Sequence, residues 1–202
     1  MSRAGSTTVR PLPVRIWNWL AFPPIDGPNW TLFLRLMAGS VFLWEGILKF
    51  VYANQGIGRF TKLGFPFPGA TADGVAILEI VGGLLMLAGL LTRFVAIAFI
   101  IEMLTAMFST KIALYLGTSP LPLPASPPKI GIWAVLHEVR SEWAQMMTSL
   151  FLLLAGPGRW SLDALVERVR ARTRVLLDHV PPTARPISEP QLTRHTAQPS
   201  NP

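Results

Sequence analysis

Trp30 to Val51 reads WTLFLRLMAGSVFLWEGILKFV, twenty-two mostly apolar residues. As a helix rising about 1.5 Å per residue, that length crosses the ~30 Å hydrocarbon core of a bilayer. A plain anchor would carry no charge, yet this one holds Arg35, Glu45 and Lys49. On a helix Arg35, Gly39, Phe42, Gly46 and Lys49 share one narrow face, with Glu45 at its edge. Each charge costs roughly 2.5–3.5 kcal/mol near the membrane centre on insertion scales. The charged face must therefore look at protein or water, and the rest of the chain has to supply partners for it.

It supplies three more apolar segments. Gly74 to Leu91 (GVAILEIVGGLLMLAGLL) is a second span whose one charge is Glu79, on a face with Gly82, Gly83 and Met86. Small residues on such a face let another helix approach closely. Only Thr92 and Arg93 separate it from a third span, Phe94 to about Thr110, with Glu102 near its middle; the two spans form a tight hairpin. A fourth span, Gly131 to Ala155, starts polar and ends apolar, with Glu138, Glu142, Gln145 and Ser149 on one face. Between the first two spans, Gly and Pro forbid a long helix, and Phe60, Phe65 and Phe67 suggest a connector folded back over the bundle. Leu116 to Ile130 is a proline-dense extended loop.

The ends differ from this middle. Pro11 to Pro24 sets Trp17, Trp19 and Phe22 among prolines and suits the membrane–water interface, and Pro24 to Pro28 turns the chain into the first span. Ser161 caps a helix to about Val180, with a leucine and valine stripe flanked by Arg168, Arg170, Arg172 and Arg174; such a helix lies in the headgroup plane of an anionic leaflet. Met1 to Thr8 is polar and reads as loose, and Pro181 to Pro202 reads as disordered. The division expected is an interfacial segment over 1–29, a membrane domain over 30–156, an amphipathic helix over 157–180 and a tail over 181–202. The fold class is all-α: a four-helix transmembrane bundle with a C-terminal cytoplasmic amphipathic helix.

Composition agrees. Half of the 202 residues are apolar and 14% are charged, against about 25% in soluble domains. The net charge of +7 has no aromatic–basic stripe outside the spans, so lipid headgroups, not nucleic acid, are the acidic partner. With no cysteine, the chain has no disulfide, no thiol chemistry and no cysteine-ligated metal or iron–sulfur site. The first 29 residues lack the apolar core of a cleavable signal peptide, so the first span is expected to act as the insertion signal. Eleven Lys and Arg fall on the side of the two tails and the Arg93 turn, against Arg59, Lys62, Lys111 and Lys129 opposite. The positive-inside rule then places both termini in the cytoplasm.

The combined motif is R-x3-G-x2-F-x3-G-x2-K from Arg35 to Lys49, a GFPFPG loop from Gly64 to Gly69, and E-x2-GG-x5-G-x3-R from Glu79 to Arg93. After the proline loop comes E-W-x11-G-P-G-R-W-S-L-D, from Glu142 to Asp163. This pattern, covering about Thr31 to Asp163, resembles the DoxX family of small four-helix membrane proteins. The resemblance implies a place in the cytoplasmic (inner) membrane and association with an oxidoreductase assembly. The related DoxD proteins form a subunit of a thiosulfate:quinone oxidoreductase.

Arg35, Glu45, Lys49, Glu79, Glu102 and Glu142 form the candidate polar site inside the membrane. Intramembrane ionisable groups default to function, here a proton relay or a pocket for a quinone headgroup or small solute. The structural alternative pairs Glu45 with Lys49 one turn away and lets the other acids lock the bundle. By depth, Glu45, Lys49, Glu79, Glu102 and Glu142 are expected around one cavity in the middle and outer half, open away from the cytoplasm. Arg35 is expected to lie apart and to snorkel toward the cytoplasmic side. His137 is the one histidine near a span, too few for a bis-histidine haem or a three-histidine metal site. No catalytic residue and no metal site are assigned, and quinone is the one cofactor considered. The resemblance favours a membrane subunit of a redox complex binding quinone or a redox protein; a small-solute or proton-coupled transporter and a non-catalytic scaffold are the alternatives.

Overall fold

The computed structural model describes residues 11–23 and 27–178. The expectations for the first eight residues, for the turn over 24–28 in part and for the C-terminal tail lie outside them. Among the described residues the fold is all-helical, with no strand. Helix α1 is Leu12–Ala21, α2 Thr31–Val51, α3 Ile57–Lys62, α4 Pro68–Ala88 and α5 Thr92–Ala106. A π-helical turn, Met107–Lys111, carries α5 on into α6, Ile112–Leu116. Then come α7 (Ile132–Glu138), α8 (Arg140–Ala155) and α9 (Leu162–Asp178).

Three of these are long and apolar enough to cross a membrane: Thr31–Val51, Pro68–Ala88 and Thr92–Leu116. Only about a third of each is buried inside the protein. Outward stand Leu36, Ile47, Val81, Leu84, Ile101 and Phe108. A continuous apolar exterior of this kind belongs in lipid rather than water.

Two spans differ in extent from the sequence reading. The second begins six residues earlier, because Pro68 at the first helical turn has no N–H to leave unpaired and carries the right φ. The third continues to Leu116, because the π-turn absorbs the polar run Ser109–Thr110–Lys111 without ending the helix. The stretch expected as a fourth span folds as α7 and α8, which meet at Val139 (φ −83°, ψ −8°). Neither piece reaches spanning length alone.

Helices α2, α4, α5 and α8 nevertheless share one core. Ala38 and Phe42 of α2 meet Met86 of α4, Phe99 and Met103 of α5, and Met146 and Leu152 of α8. Phe42 and Phe99 stack with centroids 3.6 Å apart and planes 12° from parallel. The α2–α4 contact runs backbone to backbone. A Cβ on Gly39 would lie 2.9 Å from the Gly83 carbonyl oxygen, and one on Gly46 would lie 2.7 Å from that of Ala76. Where neighbours are as apolar as lipid, such close approach is what holds helices together.

The α4–α5 turn is built by Gly89 at φ 67°, whose neighbour Leu90 donates to the Leu85 carbonyl at 2.9 Å in a Schellman arrangement. Leu91 follows, also left-handed at φ 52°. The chain divides into two units, 1–167 and 168–202. Of the second, the described part is the remainder of α9, a helix exposing Val169, Val175, Leu176 and Leu177.

Candidate functional site

The two ends of the bundle carry different sets of polar groups. At the α5 N-terminal end two arginines are almost fully buried. Arg93 donates to the carbonyls of Trp19 and Leu154, and its guanidinium lies 4.0 Å from the Trp19 ring centroid. Arg35 is 1% exposed and donates to the Trp160 carbonyl. The expected snorkelling therefore does not occur. A snorkelling arginine needs an open path to the interface, and the segment after α8 closes that path: Thr31 Oγ1 donates to the Pro157 carbonyl at 3.0 Å, with Gly158 packed on Thr31. Asp163 completes the closure by accepting from the Leu91 and Thr92 backbone N–H groups at 2.9 and 3.2 Å.

Lys49 lies fourteen positions from Arg35 on α2, about 21 Å away at 1.5 Å per residue. Around it, between the α2–α4 pair and the α5–α8 pair, is a cavity of about 750 Å³. Glu45, Lys49, Glu79, Glu102 and Glu142 all line it, and Arg35 does not. Phe42, Leu48, Val75 and Met103 make its walls, with Phe60 of α3 over it.

Lys49 Nζ stands 2.5 Å from Glu79 Oε2, and the Glu79 side chain is 4% exposed. The pairing differs from the Glu45–Lys49 pair considered from sequence. Gly46 is the reason: without a side chain there, α4 comes close enough to bring Glu79 beside Lys49, its Cβ 2.9 Å from where a Gly46 Cβ would stand. Glu45 is left exposed. Glu102 lies within electrostatic reach of both Glu79 and Lys49, and its Oε2 is buried without a hydrogen-bond partner, as is Gln145 Oε1.

Lys111 was assigned by sequence to an outer loop and is instead part of the site. The π-turn aims it inward, where Nζ lies 3.2 Å from Glu142 Oε1 and 3.8 Å from Glu138 Oε2. The signal was present: IALYL after Lys111 continues the apolar pattern, so the lysine sits within a span. Gln55 and Arg59 also line the cavity, and nothing in their sequence context marked them. A smaller cavity of about 320 Å³ shares Gln55, Arg59, Thr110 and Lys111 with the large one. His137 stands exposed beside Glu138 and Arg140.

Three apolar membrane-length helices around a charged cavity define a polytopic membrane protein. The chain belongs to the DoxX family, whose model matches residues 30–112, from the residue before α2 to the first residue of α6. It is 38% identical over 157 residues to the uncharacterized membrane protein Rv3486 of Mycobacterium tuberculosis, covering 75% of this chain and 90% of the relative. It is 27% identical over 137 residues to the Bacillus subtilis protein named "Putative oxidoreductase CatD", covering 67% of this chain and 86% of that one. No solved structure matches the chain significantly.

Proposed function

We propose that this protein is a membrane subunit of an oxidoreductase assembly whose cavity holds a quinone headgroup. The observation that carries the reading is the cavity itself: apolar walls of aromatic and aliphatic side chains around a few convergent polar groups, as small-molecule sites generally are. The name of the Bacillus subtilis relative leans the same way.

The side chains fit such a group. Lys49 supplies a donor for a quinone oxygen, Glu79 and Glu102 place carboxyl groups beside it, and the unpartnered Gln145 amide oxygen would accept from the reduced, hydroquinone form. Phe42 and Met103 line the cavity and would offer apolar surface to a ring bound there. When bound, a quinone supplies two-electron, two-proton chemistry. The chain's own part is to bind the head, keep water from it and handle protons, while a redox partner handles electrons. Co-purification from native membranes with a redox partner, together with extraction of quinone from the purified protein, tests this. Recovery of neither at more than trace amounts defeats it.

In the same reading α7 and α8 together make the fourth crossing, both termini face the cytoplasm of the inner membrane, and α9 rests on anionic headgroups through Arg168, Arg170, Arg172 and Arg174. A second reading, a proton-coupled transporter of a small solute, draws on the smaller polar cavity that adjoins the large one at Lys111. Uptake into proteoliposomes that is abolished in Glu79→Gln would favour it.

A further inference from the structure

Several residues that line the large cavity are also exposed, and their character differs between helices. On α2 and α8 the lining residues that are also exposed are polar, Glu45 and Ser141. On α4 and α5 they are Leu78, 36% exposed, Ile101, 60% exposed, and Thr105, whose hydroxyl is already bonded to the Ile101 carbonyl. Helices α4 and α5 touch near their shared turn, where a Cβ on Gly82 would meet the Phe99 ring at 2.8 Å. Farther from the turn, Leu78 of α4 and Ile101 of α5 both line the cavity. Both helices are apolar and of membrane length, so side chains exposed on them face hydrocarbon.

We infer that the α4–α5 gap is a lateral portal, and that the ligand is a lipid-dissolved quinone with a long apolar tail, its head among Lys49, Glu79 and Glu102 and its tail leaving past Leu78 and Ile101. The inference rests on the quinone reading and adds the route and the ligand's shape. A head carrying hydrogen-bonding oxygens matches the charged floor. An alkyl or isoprenoid chain in the apolar gap leaves no polar atom unsatisfied, whereas the same chain led past Glu45 and Ser141 would desolvate a carboxylate. A water-soluble solute would have no use for an apolar mouth opening into lipid.

The full-length protein in lipid nanodiscs tests the portal with two photoreactive benzoquinones, one bearing its diazirine on the ring and one at the start of a decyl tail. With labelled sites assigned to single residues by fragment-ion mass spectrometry, the ring probe is expected on Lys49 or Glu102 and the tail probe on Leu78 or Ile101, with excess unlabelled decyl-quinone competing for both. Leu78→Trp should lower tail-probe labelling more than about tenfold, since one well-placed clash suffices to exclude a chain. Val81→Trp, on the outer surface of the same helix, should leave it unchanged. If the ring probe labels the cavity but the tail probe labels Glu45 and Ser141 themselves, the portal is overturned and the quinone reading stands. If neither probe gives competable labelling in the cavity, both fall together.

Discussion

Asp163 holds Thr92 twice, its Oδ2 accepting the backbone N–H at 3.2 Å and the side-chain hydroxyl at 3.1 Å. The two residues are 71 apart in sequence, so α5 takes its N-terminal cap from a distant segment. In return the Asp163 N–H donates to the Gly89 carbonyl at 2.9 Å. A carboxylate at a helix N-terminus satisfies orphan N–H groups and complements the helix dipole. Asp163→Ala should cost about 1–2 kcal/mol, the upper range for a lost cap, seen as a lower thermal midpoint in detergent. Asp163→Asn, which keeps an acceptor oxygen, should lose less. Equal midpoints for Asp163→Ala and wild type would show that the turn needs no cap.

The Lys49–Glu79 pair invites a double-mutant cycle. Removing one partner strands a charge in a site where the other side chain is 13% or 4% exposed. Such stranding typically costs about 3–5 kcal/mol, while replacing both partners by apolar residues is often close to neutral. Lys49→Met and Glu79→Met should each destabilise strongly, and the double variant should recover most of the loss. Additive losses would mean that the two side chains act independently.

Much of the site was legible because depth along a helix is fixed by residue number. Glu45, Lys49, Glu79, Glu102 and Glu142 could be placed near one level before any fold was known, and all five line one cavity. What sequence could not give was pairing across the bundle. Lys49 has Glu45 one turn away, and only the close α2–α4 contact at Gly46 decides for Glu79. Arg35 read as a lone arginine because its acceptor, Trp160, is 125 residues distant. Lys111 was misplaced because a polar triplet looks like the end of a span, when a π-turn carries the helix through it. The fourth apolar segment read as one continuous span, and its polar start did not mark a division into α7 and α8.

The headgroup role proposed for α9 makes a prediction about salt. A peptide of residues 161–180 should bind vesicles rich in anionic lipid and become helical by circular dichroism. Each of Arg168, Arg170, Arg172 and Arg174 should contribute about 1 kcal/mol near the surface. Binding should weaken as ionic strength rises and the Debye length shrinks, and replacing all four with Gln should remove most of it. Salt-independent binding to neutral vesicles would rule out the electrostatic part.

Topology is accessible to labelling because the chain has no cysteine. Single cysteines at Ser6 and Ser200 should react with an impermeant maleimide only from the cytoplasmic side of membrane vesicles. Those at Thr61 and Ser126 should react only from the other. Labelling of Ser200→Cys and Ser6→Cys from opposite sides would mean an odd number of crossings, with α7 and α8 not spanning together.

Two glycines on facing helices give a matched test of what holds the cavity's shape. Gly46 sits where a Cβ would lie 2.7 Å from the Ala76 carbonyl oxygen and 2.8 Å from Ile80 Cγ1. Backbone on the far side cannot yield, so Gly46→Ala must push α4 outward. The cost should be about 1–3 kcal/mol, as for overpacking in a tight core, and separating α2 from α4 should draw Glu79 away from Lys49. Gly74, within α4, has nothing inside 4 Å of its Cβ position. Gly74→Ala should therefore stabilise by up to about 1 kcal/mol, the helix propensity gain. Measured as thermal midpoints in one detergent, the two substitutions should move in opposite directions. A Gly46→Ala variant as stable as wild type would mean that α2 and α4 are not packed backbone to backbone, and that Lys49 is free to turn back to Glu45.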